Sequence, residues 1–121
     1  MRIKVIFSNM KKKDICIDFD GVLNNYSGWQ GNDYLADIKK GCLEFLKQLS
    51  INYNITILTT RDVTLVKDWL KKYNIYEYIK SVTNQKIPAI LYIDDRGLNF
   101  NGNYEELLSA INNFTPYWKK N

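Results

Sequence analysis

Four aspartates stand where short apolar runs give out. Asp18 and Asp20 close the run Ile15-Cys16-Ile17, and Asp94 and Asp95 follow Ile90-Leu91-Tyr92-Ile93. Two carboxylates about 4 Å apart repel by roughly 4 kcal/mol at an effective dielectric near 20. Four together tolerate burial only with cations among them. Hard oxygen donors select Mg²⁺ or Ca²⁺, and Mg²⁺ fits better because it accepts a few carboxylates alongside waters and a substrate phosphate. Asp18 and Asp20 are two apart, so in extended chain both point to one side while Phe19 points to the other. Gly21 then permits a sharp turn.

Thr59, Thr60 and Arg61 end another apolar run, and Lys86 precedes the one that ends in Asp94. A hydroxyl and cations therefore accompany the carboxylates. Any one aspartate at a strand end is equally well a turn former. Four of them, with Thr59 and Lys86 alongside, satisfy the criteria for a reactive site. The chain has no histidine, which excludes Ser-His, Cys-His and histidine-ligated metal chemistry.

The elements that must position these residues read as alternating strands and helices. Ile3, Val5 and Phe7 alternate with polar residues, so residues 1–9 read as an extra N-terminal strand ahead of the core fold. Asp14 to Phe19 suits a buried parallel strand, and Asp20 to Asp33, rich in Gly, Asn and Ser, a loop. Ile38, Cys42, Phe45, Leu46 and Leu49 recur at helical spacing. Tyr53 to Thr59 is a second strand. Asp62 is an N-cap for a helix carrying Val66, Trp69, Leu70 and Tyr73, with Asn74 at its end. Tyr78 to Val82 and Ala89 to Ile93 read as further strands, and Tyr104, Leu107, Leu108 and Ile111 as a last helix. This order predicts one α/β domain over residues 1–121, a Rossmann-like parallel sheet with helices on both faces. Ligands of such sheets gather at the carboxyl ends of the strands, where the aspartates, Thr59 and Arg61 stand.

At 121 residues and 45% hydrophobic, the chain is long enough to bury a core without staples. No apolar run approaches the roughly 18 residues of a membrane span, and the first residues lack the apolar stretch of a signal peptide. A cytoplasmic protein without a membrane partner is the expectation. Cys16 and Cys42 match no zinc or redox spacing and read as buried hydrophobes. The net charge of +4 favours an anionic substrate.

Three segments together resemble the haloacid dehalogenase (HAD) superfamily: Ile15-Cys16-Ile17-Asp18-Phe19-Asp20-Gly21-Val22-Leu23, then Ile55-Thr56-Ile57-Leu58-Thr59-Thr60-Arg61, then Lys86 through Asp94-Asp95-Arg96. The resemblance runs from about Asp14 to about Ile111, and the fused last segment is similar to small phage- and bacteria-type hydrolases. It implies a HAD core and an Mg²⁺-dependent phosphatase. Asp18 would be the nucleophile, forming an aspartyl-phosphate, and Asp20 the general acid and base. Mg²⁺ would be held by Asp18, the backbone carbonyl of Asp20, and Asp94, with Asp95 as a further ligand or its support. Thr59 would bond a phosphoryl oxygen, and Lys86 would balance the charge.

The intervals after Asp20 and after Thr59 leave no room for a cap domain, which favours hydrolysis over phosphotransfer between sugar positions. In a response-regulator receiver the acidic pair comes first, whereas Asp94 and Asp95 come last here. A catalytically silent metal- or phosphate-binding module, or a phosphotransferase, stands as the alternative. The substrate classes are a nucleotide, a sugar phosphate or a phosphorylated nucleic-acid end. Thr60, Arg61 and Trp29 are the candidate substrate contacts. Trp29 could stack on a base, but packing against an edge of the core is the preferred expectation for it. Trp118 is expected to dock the C-terminal tail.

Overall fold

The computed structural model describes residues 11–119, and the strand expected within residues 1–9 lies outside them. Four strands form one sheet in the order β3-β2-β1-β4: β1 (Lys13–Asp18), β2 (Tyr53–Leu58), β3 (Ser81–Thr83) and β4 (Leu91–Ile93). All pairings are parallel. Three helices accompany them: α1 (Cys42–Leu49), α2 (Val63–Lys72) and α3 (Tyr104–Asn112). The mixed α/β class and the parallel sheet are as the sequence pattern predicts.

The two central strands are rich in isoleucine and, Thr56 apart, apolar at their centres, as strands covered on both faces tend to be. Ile15, Cys16 and Ile17 of β1 and Ile55, Thr56 and Ile57 of β2 are all buried. The β1–β2 register runs from Lys13 opposite Tyr53 to Asp18 opposite Leu58. Phe19, Leu23, Leu46, Val66, Leu70 and Ile75 complete the core. Phe19 meets Trp69 edge-on at 4.9 Å between centroids, and Trp69 Nε1 donates to the Ala36 carbonyl at 3.0 Å. That bond ties the long loop after β1 to α2.

Helix α2 starts where Asp62 caps it, its side chain accepting from the backbone N–H groups of Thr64 and Leu65. The chain leaves this helix through Asn74 at φ +59°, a left-handed conformation that asparagine tolerates. Two strands are shorter than the sequence suggests. Tyr76–Tyr78 forms a 3₁₀ turn, so β3 begins only at Ser81, and β4 starts at Leu91 rather than Ala89. Short apolar runs cannot be divided into strand and turn by periodicity alone.

The cover of the sheet is uneven. Helix α3 buries none of its residues, and Ile90, Leu91, Leu98, Phe100, Leu108 and Ile111 are exposed. The expected double-sided cover holds at β1 and β2 and fails beyond β4. Among the described residues, no helix is long and apolar enough to cross a membrane. Both cysteines are buried and free, and burial raises both thiols, Cys42 to about 11. They are inert packing residues, as their spacing implied.

Candidate active site

Strand register brings the carboxylates together. The last β1–β4 pair is Ile17 opposite Ile93, so one further step along both strands sets Asp18 beside Asp94. Asp18, Asp94 and Asp95 each offer an oxygen within 4.8 Å of the others. Asp94 is exposed, while the Asp95 side chain is wholly buried. Among the described residues no N–H donor reaches Asp95 Oδ1, and Arg96 Nε stands 3.8 Å from it.

Burial pushes the Asp18 carboxyl up to about 8. The charge of Asp94, then a side-chain hydrogen bond and charge from Asp95, push in the same direction, and a backbone hydrogen bond at Phe19 pulls back. Among the described residues no cation counters these effects on Asp18. The donor set is all oxygen, one member of it is buried and unsatisfied, and a divalent cation would supply what is missing. These residues fit Mg²⁺.

Asp20 stands apart from this group. Its Oδ2 accepts from Arg61 Nε at 2.7 Å, and its Oδ1 accepts from Asn24 Nδ2 at 3.1 Å. Arg61 is buried and also donates through Nη1 to the carbonyls of Gly31 and Asn32. Nε and Nη1 are thus taken up by the protein itself, and no contact among these uses Nη2. Thr59 is buried, and its Oγ1 accepts from the Arg61 backbone N–H at 3.0 Å, leaving its own proton free to donate. Thr60 beside it is exposed.

Lys86 is exposed, with Nζ 4.5 Å from the centre of the Tyr92 ring. It shares the walls of an open cleft of about 750 Å³ with Asp94. Among the described residues no ion pair joins Lys86 to the acidic group. Trp29 corrects an expectation: it is 59% exposed rather than packed into a core edge. It lies over Arg61, 4.8 Å from Cζ to the ring centre. A planar guanidinium fixed from below gives the indole a polar seat that the core does not.

Sequence reasoning overlooked Asn24. It is fully buried, accepts from the Gly21 backbone N–H at 3.0 Å and donates to Asp20, so it braces the turn that carries both catalytic candidates. An asparagine directly after the apolar pair Val22-Leu23 was the available signal. Trp118 does dock the tail, as expected, but its contact is Asp95 itself.

The chain has a solved structural neighbour, a conserved protein from Bacteroides thetaiotaomicron. The two share 18% identity over 84% of this chain and 91% of the other, with a TM-score of 0.55. At that identity the likeness concerns the fold alone. No family model and no curated protein matches the sequence.

Proposed function

We propose that this protein is an Mg²⁺-dependent phosphomonoester hydrolase of the HAD type, with Asp18 as nucleophile. The observation that carries the reading is the meeting of Asp18, Asp94 and Asp95 at the ends of the neighbouring strands β1 and β4. The elevated Asp18 carboxyl and the unsatisfied Asp95 oxygen favour a cation there.

Asp18, Asp94 and Asp95 would hold Mg²⁺, with the Asp20 carbonyl as the fourth protein donor. When bound, the ion neutralises these carboxylates and draws charge from the phosphoryl oxygens. An Asp18 oxygen attacks phosphorus, the ester P–O bond breaks, and the leaving oxygen takes a proton from Asp20. Asp20 then takes a proton from water as that water attacks phosphorus. The bond to Asp18 breaks, and inorganic phosphate leaves with Asp18 restored. Arg61 and Asn24 hold Asp20 in one orientation for both proton transfers. The free Thr59 proton suits a phosphoryl oxygen. Lys86, on the wall of the cleft, can swing to a bound phosphate from its place on Tyr92.

The open cleft lined by Lys86 and Asp94, and the exposed Trp29 in the loop after β1, suit a nucleotide, a sugar phosphate or a phosphorylated nucleic-acid end. The test is turnover of an aryl phosphate and of this substrate panel, with Mg²⁺ and with chelator, beside Asp18→Asn. Turnover that needs Mg²⁺ and vanishes in the variant is the expected result. Folded protein that binds Mg²⁺ and turns over nothing would leave a metal-binding module in its place.

A further inference from the structure

The C-terminal 3₁₀ turn Tyr117–Lys119 reaches back to the acidic group. Trp118 Nε1 donates to Asp95 Oδ2 at 2.5 Å, and the Tyr117 hydroxyl donates to the Gly21 carbonyl at 2.5 Å. The Trp118 ring meets Tyr26 edge-on at 4.9 Å between centroids, and Lys39 Nζ lies 5.0 Å from the centre of the Tyr117 ring. The turn is therefore fastened to the loop after β1 and to Asp95, just beyond β4.

Gly21 forms the opposite wall. Its φ is +86°, and a Cβ there would lie 2.8 Å from Asp95 Cγ and 3.2 Å from Trp118 Nε1. Asp95 is shut between a residue without a side chain and the indole. Among the described residues, Trp118 is the N–H donor that its carboxylate has, beside the Asp18 carboxyl while that is protonated, and no N–H reaches Oδ1.

We propose that Trp118 is a positioning residue for Asp95: its indole N–H fixes the carboxylate and thereby sets the affinity of Asp18, Asp94 and Asp95 for a divalent cation. This rests on reading that group as a cation site. A buried carboxylate needs a hydrogen bond to hold one orientation. A donor on the outer oxygen of a ligating group contributes roughly ten-fold or more to metal affinity. Simple docking of the tail would need only the ring, because the Tyr26 contact makes no use of N–H. Phenylalanine keeps the ring and lacks the donor.

The test compares the full-length protein with Trp118→Phe by calorimetric titration with Mg²⁺, both shown to be folded by circular dichroism. The expected result is a Kd weakened by roughly ten-fold in the variant. An unchanged Kd overturns the proposal and leaves the cation site standing. Wild-type protein that binds no Mg²⁺ overturns the cation-site reading itself, and this proposal with it. Should Trp118→Phe fail to fold, indole emission reads the same contact. In a Trp29→Phe background only Trp69, buried against Ala36, and Trp118 emit. Adding Mg²⁺ is expected to change the Trp118 emission saturably, and Asp95→Ala to shift it to the red without any cation. Emission indifferent to both overturns the proposal.

Discussion

At the scale of single residues, the site is a balance of unmet charges. Asp18 ordinarily titrates near 3.8 and is held at about 8 by burial and by Asp94 and Asp95. In cation-free protein the folded chain keeps this proton over an interval in which the unfolded chain has released it. The contribution of Asp18 to stability is therefore full below about pH 4 and lost as the pH rises through 8. Melting in chelator should fall in temperature across that window, and Asp18→Asn should flatten the fall. On the proposed cation-site reading Mg²⁺ would displace the same proton, so its affinity should rise with pH and level off above 8. Calorimetric titration at several pH values measures it. Arg61 presents the converse case, a buried cation already paired. Its side chain is 2% exposed and its partner Asp20 15%. Arg61→Ala strands Asp20 and should cost roughly 3 kcal/mol in urea unfolding, as breaking buried ion pairs does. On the proposed phosphatase reading it should also lower kcat for an aryl phosphate, because Asp20 loses its orientation.

At the scale of elements, the structure depends on what happens at strand and helix ends. Helix α2 presses Val66, Trp69 and Leu70 into the core and is started by Asp62, which satisfies two orphan N–H groups. Asp62→Ala should cost about 1 kcal/mol in urea unfolding, with no change in Mg²⁺ affinity because the cap touches none of the acidic group. This helix and its cap were legible in the sequence, since 3.6-residue spacing and a capping aspartate are local signals. The division of Tyr76 to Thr83 into a 3₁₀ turn and a three-residue strand was not. There the backbone follows its pairing with β2, and that pairing depends on residues some 25 positions away.

At the scale of the whole molecule, burial is concentrated at the centre of the sheet. Strands β1 and β2 are buried throughout their centres, while α3 buries nothing and the apolar residues around it face outward. Stability in folded chains tracks buried apolar contact. Amide exchange should therefore be slowest in β1 and β2 and fastest, among the regular elements, in α3. Mass-spectrometric exchange of the full chain checks this, and equal protection of α3 and β1 would contradict it. The sequence by itself determined the α/β class, the parallel sheet, the buried thiols and the candidates at strand ends, because hydrophobic period and turn chemistry are written locally. It could not decide that Asp20 pairs with Arg61 while Asp95 pairs with Trp118, or that Trp29 stands in solvent. Those partners lie 41 and 23 residues apart along the chain. Only the strand register and the return of the C-terminal turn bring such residues within bonding distance, and neither leaves a mark in local sequence.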